Sequence, residues 1–210
     1  KKRTTGGRNG YGAKLANIFS TSFEVETVDV KNGKKYIQKW TKNMKECEKP
    51  KITKATAKKG YAKFTFYPDL EKFGMEELDD DIVALFQKRA YDICSCTHEK
   101  VKVYYNGEQL KIKSFEKYMD MYIGGKGDTG RVFDKNARWE VGVAPSKDGF
   151  KHVSFVNGIS TSQGGQHVES VLKQIVTKLT EHITSKHKSI EVKPQFIKDH
   201  IFVFVKIGCL

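Results

Sequence analysis

The sequence Thr4-Thr5-Gly6-Gly7-Arg8-Asn9-Gly10-Tyr11-Gly12-Ala13-Lys14-Leu15-Ala16-Asn17 places a run of glycines directly before a segment of helix-forming residues. Glycine adopts positive φ at little cost and lets a ligand approach the backbone closely. The alanines and leucine that follow predict a helix with an apolar face. A helix N-terminus presents unpaired backbone N–H groups and a partial positive charge, which together favour anions. Because Arg8 and Lys14 add two full charges, the stretch predicts a polyphosphate-binding loop.

Two familiar phosphate-binding loops do not match this stretch. Gly7 and Gly12 have the spacing of a P-loop, but Ala13 stands where that motif needs its lysine. A dinucleotide-binding fingerprint would need a glycine at Leu15, and no strand precedes the loop. The alternative that stays open is a basic, glycine-rich turn that binds no ligand.

The segment Gly7–Leu15 resembles the phosphate-binding lid of eukaryotic type IIA DNA topoisomerases, whose ATPase belongs to the GHKL group. Further segments resemble that family in the same order along nearly the whole chain. They are Asn17–Ser20, Asp81–Leu85, Arg89–Ile93, Val153–Asn157 and Gln174–Leu179. The ordered set is far more specific than the loop alone.

The resemblance implies an α/β fold: the C-terminal part of a GHKL ATPase sandwich, followed by a transducer domain like ribosomal protein S5. We expect a partial ATPase domain over residues 1–112 and a transducer domain over residues 113–210. The first would carry the ATP phosphate loop and the following sheet.

The resemblance also implies an ATP-dependent DNA topoisomerase, a nuclear homodimer that passes one DNA duplex through a transient break in another. ATP with Mg²⁺ would close its clamp. The loop residues expected to bind ATP are Gly7, Arg8, Asn9, Gly10, Tyr11, Gly12, Ala13 and Lys14. Tyr11 could equally pack against the protein, and Asn9 could simply tolerate a left-handed turn.

Several parts of the family's catalytic machinery do not occur in this sequence. The general-base glutamate, the magnesium ligand and the adenine pocket are expected upstream of residue 1. The transducer's switch lysine is expected beyond Leu210. No residue here is assigned a catalytic or metal-binding role, so we expect a piece of a longer protein that is inactive by itself.

The family has a lysine-rich loop facing the DNA at the position of Thr184-Ser185-Lys186-His187-Lys188. The resemblance therefore implies DNA contacts by Thr184, Ser185, Lys186 and Lys188. The alternative is that these basic side chains only complement the negative end of a helix dipole. Only two lysines are present, fewer than the family pattern has.

Composition limits the classes of protein that fit. The chain has 210 residues, 38% hydrophobic and 30% charged, and its net charge of +13 favours a polyanionic partner such as nucleic acid. No apolar run is long enough for a membrane span. Four cysteines at this length predict reduced thiols rather than a disulfide framework.

The remaining pattern predicts alternating strands and helices. Strands are expected at 23–30, 35–40, 61–67, 101–105, 110–113, 138–143, 151–157 and 202–207. The segment 41–60 reads as a surface loop and the glycine-dense segment 124–130 as a flexible turn. Helices are expected after Asp79-Asp80-Asp81, as capping carboxylates rather than a metal site, and after Gly165, with His167 as a capping or packing residue.

Two other functions remain open at this point. One is another GHKL ATPase, gyrase-like or mismatch-repair-like, although such relatives share the folds rather than these residues. The other is a non-enzymatic, basic nucleic-acid-binding module, which would explain the charge but leave the phosphate loop without a use.

Overall fold

The computed structural model describes residues 6–7, 9–189 and 191–208. The chain forms two compact units. We call Gly7–Ile82 the first unit, and the described part of Val83–Leu210, together with Gly6, the second unit. The expected domains 1–112 and 113–210 are defined by family resemblance rather than by compactness, and they remain a prediction.

The first unit consists of one helix and an antiparallel sheet. Its elements are α1 (Tyr11–Ile18), β1 (Ser20–Asp29), β2 (Lys34–Thr41), β3 (Glu46–Cys47), β4 (Lys51–Lys54), β5 (Tyr61–Pro68) and a 3₁₀ turn (Leu70–Phe73). The strand order is β3-β2-β1-β5, with β4 paired to another stretch of β2. The predicted helix after the glycine loop and the hairpin at Asn32-Gly33 are both present.

Aromatic residues hold the first-unit sheet together on one face. Phe23 of β1 is buried and lies opposite Trp40 of β2 and Phe66 of β5. Ala62, Phe64 and Phe66 share a face of β5, as their alternation predicts. Yet 57% of Phe64 and 49% of Phe66 remain exposed, so within this unit the face is only partly covered.

The prediction of a plain loop over residues 41–60 is wrong in part. Two short strands, β3 and β4, pair with β2 there. Every residue of both strands is exposed. A strand that buries neither face needs no alternation of polar and apolar residues, so the usual signal is absent.

A long helix, α2 (Asp80–Cys96), begins at the acidic triplet as expected. The Asp79 side chain accepts a hydrogen bond from the Ile82 backbone N–H at 2.9 Å. Asp80 and Asp81 lie in the first turn, where carboxylates complement the helix dipole. The capping interpretation of the triplet is therefore confirmed.

The second unit continues with a mixed sheet and three more helices. Its elements are β6 (Tyr104–Tyr105), β7 (Glu108–Gln109), α3 (Phe115–Ile123), β8 (Val132–Lys135), β9 (Trp139–Pro145), β10 (Lys151–Val156), β11 (Ile159–Ser160), α4 (Gln166–Lys186), α5 (Pro194–Lys198) and β12 (Ile201–Ile207). The predicted strand at 101–105 is too long, because only Tyr104–Tyr105 is paired there. The predicted strand at 110–113 is wrong, because the pairing after the Asn106-Gly107 turn is made by Glu108–Gln109.

The last strand is the centre of the second-unit sheet, whose order is β11-β10-β12-β9-β8. β12 pairs parallel with β10 and antiparallel with β9. The α4 helix lies between β10 and β12 in the chain, as a parallel connection requires. The expected β-β-α-β arrangement is thus confirmed, with β8, β11 and α5 as unpredicted additions.

The α3 helix was not predicted, although it supplies much of the second-unit core. Phe115, Tyr118 and Met119 are almost completely buried. They pack with Phe155 and Phe204 of the sheet. A Cβ added at Gly142 would lie 2.3 Å from the Met119 methyl group, so any larger residue there would force the Met119 side chain to move.

A search of the described helices for one both long and apolar enough to cross a membrane finds none.

Candidate functional site

The glycine loop before α1 adopts backbone conformations that side chains resist. Gly7 has φ +83° and Gly10 has φ +69°, both in the left-handed region. A Cβ built at Gly7, Gly10 or Gly12 meets no atom within 4 Å. The loop backbone is therefore approachable from outside, as a ligand that binds through N–H groups requires.

Neither the N-cap nor the first turn of α1 supplies an anionic side chain. Gly10 is its N-cap and supplies no side-chain cap, and no acidic residue lies in the first turn. The first N–H groups of a helix have no partner within the helix, and a capping side chain normally takes one or more of them. Here the helix dipole and these donors are available to an external anion.

Phosphate oxygens fit this loop on chemical grounds. Backbone donors at an uncapped helix N-terminus, beside glycines that keep the approach open, are the features from which phosphate cradles are built. Across residues 6–7, 9–189 and 191–208, no three His, Cys, Asp or Glu side chains cluster so as to hold a metal ion.

The structure places the expected ATP-binding residues on the loop and the first turn of α1. Asn9, Gly10, Tyr11, Gly12, Ala13 and Lys14 are all exposed, and Gly7 precedes them in the same loop. Tyr11 is 64% exposed, which argues against the alternative that it packs against the described protein. Arg8, which is also expected to bind ATP, lies outside the described residues.

Lys14 occupies the fourth position of α1 and is exposed. Side chains on a helix tilt toward its N-terminus, so a lysine here extends back over the first turn. Its ammonium group can therefore accompany the backbone donors at one bound anion. The lysine of a P-loop would stand one residue earlier, at the position of Ala13, so this loop differs from a P-loop.

Two residues near the loop escaped sequence reasoning. The Gly6 backbone N–H donates to the Asn157 carbonyl at 2.8 Å, and a Cβ at Gly6 would lie 2.4 Å from Ile159. The glycine immediately before the loop is thus held against the β10–β11 turn.

Asn17 is 5% exposed, and its side-chain oxygen has no hydrogen-bond partner among the described residues. The one sequence feature that points to Asn17 is its place in the segment Asn17–Ser20, which resembles the topoisomerase family.

The expected DNA-binding residues lie at the C-terminal end of α4. Thr184, Ser185 and Lys186 form the last turn, and Lys188 follows the helix. All four are exposed. Lys186 in the last turn complements the helix dipole, so both alternatives from the sequence remain compatible with its position.

His167 has a structural environment at the start of α4. Its Nε2 lies 2.9 Å from the Thr161 hydroxyl, which in turn lies 2.6 Å from the Ser154 hydroxyl. Burial, aided by the nearby His152, lowers the pKa of His167. These contacts confirm that His167 packs within the fold.

The glycine-dense turn after α3 is braced by its own side chains. Asp128 accepts a hydrogen bond from the Gly125 N–H at 2.6 Å. Arg131 donates to the Gly124 carbonyl at 2.6 Å and pairs with Asp120. The turn is followed by β8, and it has no helix N-terminus to offer a phosphate.

Comparison with known proteins places these features in a family. A family model described as DNA gyrase B matches residues 94–209. A Dictyostelium discoideum protein named "Probable DNA topoisomerase 2" is 51% identical over 214 aligned residues, covering 100% of this chain and 14% of that protein. The Arabidopsis thaliana DNA topoisomerase 2 is 47% identical, covering 97% of this chain and 14% of the relative. The chain therefore spans about a seventh of these relatives' length.

Solved structures show the same relationship. The ATPase region of Saccharomyces cerevisiae topoisomerase II matches with a TM-score of 0.89 and 44% identity, covering 99% of this chain and 54% of that one. The ATPase and transducer domains of DNA topoisomerase II from Balamuthia mandrillaris match with a TM-score of 0.89 and 38% identity, with the same coverage. This chain therefore belongs to the DNA gyrase B and topoisomerase II family, and its mixed α/β fold is that of the family's ATPase and transducer domains.

Proposed function

We propose that this chain supplies the triphosphate-binding loop and the transducer of an ATP-dependent DNA topoisomerase. In the intact enzyme, ATP with Mg²⁺ would close a dimeric clamp and drive one DNA duplex through a transient double-strand break in another. The observation that carries the proposal is the uncapped, acid-free N-terminus of α1 behind open glycines. It occurs in a chain whose relatives are named DNA topoisomerase 2.

The proposed chemistry assigns each part of the loop a task. Backbone N–H groups from Asn9 to Ala13 hold the phosphate oxygens, and glycines at positions 7, 10 and 12 keep that approach free of side chains. Arg8 and Lys14 balance the charge that shifts during phosphoryl transfer. Tyr11 contacts the ligand.

Other parts of the mechanism lie outside this chain in the proposal. We propose that the general base, the magnesium ligand, the adenine pocket and the switch lysine belong to parts of the relatives' length that this chain does not span. We therefore propose that the 210-residue chain does not hydrolyse ATP by itself. The intact enzyme is proposed to be a nuclear homodimer.

The second part of the proposal concerns DNA. We assign sequence-independent phosphate contacts to Thr184, Ser185, Lys186 and Lys188. Their support is exposure at the end of α4, with two ammonium groups that make no ion pair within the described parts of the chain. Lysine binds phosphate as a point charge, so affinity should fall steeply with salt.

The first test is ATP hydrolysis by a protein that extends this chain at both ends as in its relatives, with and without supercoiled plasmid. We expect DNA to stimulate turnover. We expect Lys14→Ala to reduce it by about 10²–10³-fold, the usual loss when one transition-state donor is removed. Lys51→Ala, an exposed lysine of β4, is the matched control and should leave turnover unchanged.

The outcomes of this test separate the competing functions. ATP hydrolysis that DNA does not stimulate would favour another GHKL ATPase over a topoisomerase. DNA binding without any ATP turnover would favour a basic binding module.

The DNA assignment has its own test in the same protein. We expect the double substitution Lys186→Ala and Lys188→Ala to reduce DNA stimulation while leaving DNA-independent ATP hydrolysis intact. Loss of two phosphate contacts should lower the salt dependence of DNA binding by about 2 in log–log slope. Stimulation equal to that of the wild type would contradict the assignment.

A further inference from the structure

Five lysines from two separate segments lie at one end of the first-unit sheet. Lys31 and Lys34 belong to the β1–β2 hairpin. Lys54 ends β4, and Lys58 and Lys59 lie in the connection from β4 to β5. All five are exposed. We refer to these residues as the lysine cluster.

The fold, rather than the sequence, brings the two segments together. The Ala55 N–H donates to the Gly33 carbonyl at 2.9 Å, which joins the end of β4 to the hairpin turn. A Cβ at Gly60 would lie 3.0 Å from the Val28 carbonyl, so the connection returns to β1 at the same end. The lysines that flank these contacts therefore share one edge of the unit.

The cluster contains a pair of like charges on neighbouring strands. Lys34 lies directly opposite Lys54 in the β2–β4 register. Side chains opposite each other in an antiparallel pair share a face, and like charges at such positions repel. An arrangement of this kind is unfavourable for the isolated protein, but a bound polyanion would relieve it.

The two nearby carboxylates make their hydrogen bonds and ion pairs with residues outside the cluster. Asp29 lies opposite Lys34, but its two oxygens accept hydrogen bonds from the Asn32 backbone and side chain at 3.2 and 2.6 Å. Glu26 pairs with Lys35 at 2.8 Å and accepts from the Tyr61 hydroxyl. Among the described residues, no lysine of the cluster takes part in an ion pair within 4.0 Å.

The surrounding segment accounts for most of the chain's excess charge. Residues 31–63 contain twelve lysines and two glutamates, a surplus of ten within the chain's net charge of +13. Both glutamates, Glu46 and Glu48, lie in or beside β3, which pairs with the other end of β2. These two glutamates therefore do not offset the charge at the cluster end, where Asp29 supplies one negative charge opposite Lys34.

We propose that the lysine cluster is a contact surface for the phosphate backbone of double-stranded DNA, separate from the residues at the end of α4. Flexible, exposed lysines bind phosphates without reading sequence, and they release condensed counterions when they do so. The choice of DNA as the polyanion rests on the proposed function. The surface itself rests only on the first-unit sheet.

The test measures binding of a short fluorescent DNA duplex to the 210-residue chain over a series of salt concentrations. The cluster variant carries Lys31→Gln, Lys54→Gln and Lys58→Gln. The control variant carries Lys42→Gln, Lys45→Gln and Lys49→Gln, which remove the same charge at the other end of the sheet, where Lys42 pairs with Glu46. Thermal unfolding of each variant checks that it is folded.

We expect the slope of log K against log salt to fall by about 0.9 for each lost phosphate contact, hence by about 2 to 3 in the cluster variant. The control should retain most of the wild-type slope. The cluster variant should be at least as stable as the wild type, because Lys54→Gln removes the repulsion with Lys34. Equal slopes in the two variants, or no duplex binding by the wild type, would overturn the proposal.

Two further measurements separate this inference from its alternatives. If vesicles of anionic phospholipid lose affinity for the cluster variant while the duplex does not, the surface belongs to a membrane and the proposal is wrong. ATP hydrolysis by the extended protein tests the proposed function independently, since the cluster variant leaves the Gly7–Lys14 loop unchanged. If duplex binding depends on the lysine cluster but the extended protein does not hydrolyse ATP, the proposed DNA-contact surface would be supported and the proposed enzymatic function contradicted.

Discussion

At the scale of single residues, we expect Gly10 to set the shape of the proposed phosphate loop. Its φ of +69° places it in the left-handed region, and its missing side chain leaves space at the N-terminus of α1. A residue with a Cβ pays about 1–2 kcal/mol in this conformation. It would also place a methyl group where the phosphates are proposed to lie.

Gly33 offers a matched control for Gly10. It has φ +60° in the β1–β2 hairpin, and a Cβ there also meets no atom within 4 Å. We expect Gly10→Ala and Gly33→Ala to lower stability by similar amounts. Only Gly10→Ala should weaken nucleotide binding by the extended protein, by about tenfold or more, as measured by calorimetric titration. Equal nucleotide affinities in the two variants would remove Gly10 from the site.

The loop residues could be proposed from the sequence because their chemistry is local. Consecutive glycines before helix formers predict an open helix N-terminus without any tertiary information. Gly6 was not predicted to be anchored, because its constraint comes from Asn157 and Ile159, far away in the chain. The unpartnered oxygen of Asn17 is likewise a property of the packed structure.

At the scale of elements, α3 shows where sequence reasoning stopped short. The sequence predicts a domain boundary at residues 111–115, next to the start of this helix. However, Ser114 caps the helix by accepting from the Lys117 N–H at 3.1 Å. Phe115, Tyr118, Met119 and Tyr122 recur at helical spacing. The signal was therefore present in the sequence. By contrast, the exposed strands β3 and β4 carry no such pattern, and only pairing with β2 defines them.

The junction between β10 and α4 should make stability depend on pH. The pKa of His167 is lowered in the folded state by burial and by His152. His167 binds a proton more readily in the unfolded chain than in the folded one. Its contribution to the free energy of unfolding is therefore complete above the ordinary histidine pKa of about 6.5 and is lost as the pH falls below that value. As the pH is lowered from about 7 to about 5.5, we expect the free energy of unfolding to decrease less in the His167→Gln variant than in the wild type.

His182 provides the control for this prediction, since it is an exposed residue on the same helix. Urea unfolding of both variants at each pH is the measurement. His182→Gln should keep the wild-type pH dependence. A His167→Gln variant with an unchanged pH profile would show that this histidine does not titrate differently on folding.

At the scale of the whole molecule, the proposed function divides between the two compact units. The first unit contains the proposed phosphate loop, the partly exposed aromatic face and the lysine cluster. The second contains the described mixed sheet and the exposed end of α4. The fold class and the family could be predicted because ordered resemblances run through both units. The clustering of Lys31 with Lys58 could not, because strand pairing creates it.

The most direct test of the central claim is relaxation of supercoiled plasmid by a protein that extends this chain at both ends as in its relatives. The proposed function predicts relaxation that requires ATP and magnesium. It predicts that Lys14→Ala abolishes relaxation while DNA binding persists. Relaxation without ATP, or ATP-dependent relaxation that survives Lys14→Ala undiminished, would contradict the assignment of the Gly7–Lys14 loop as the triphosphate site.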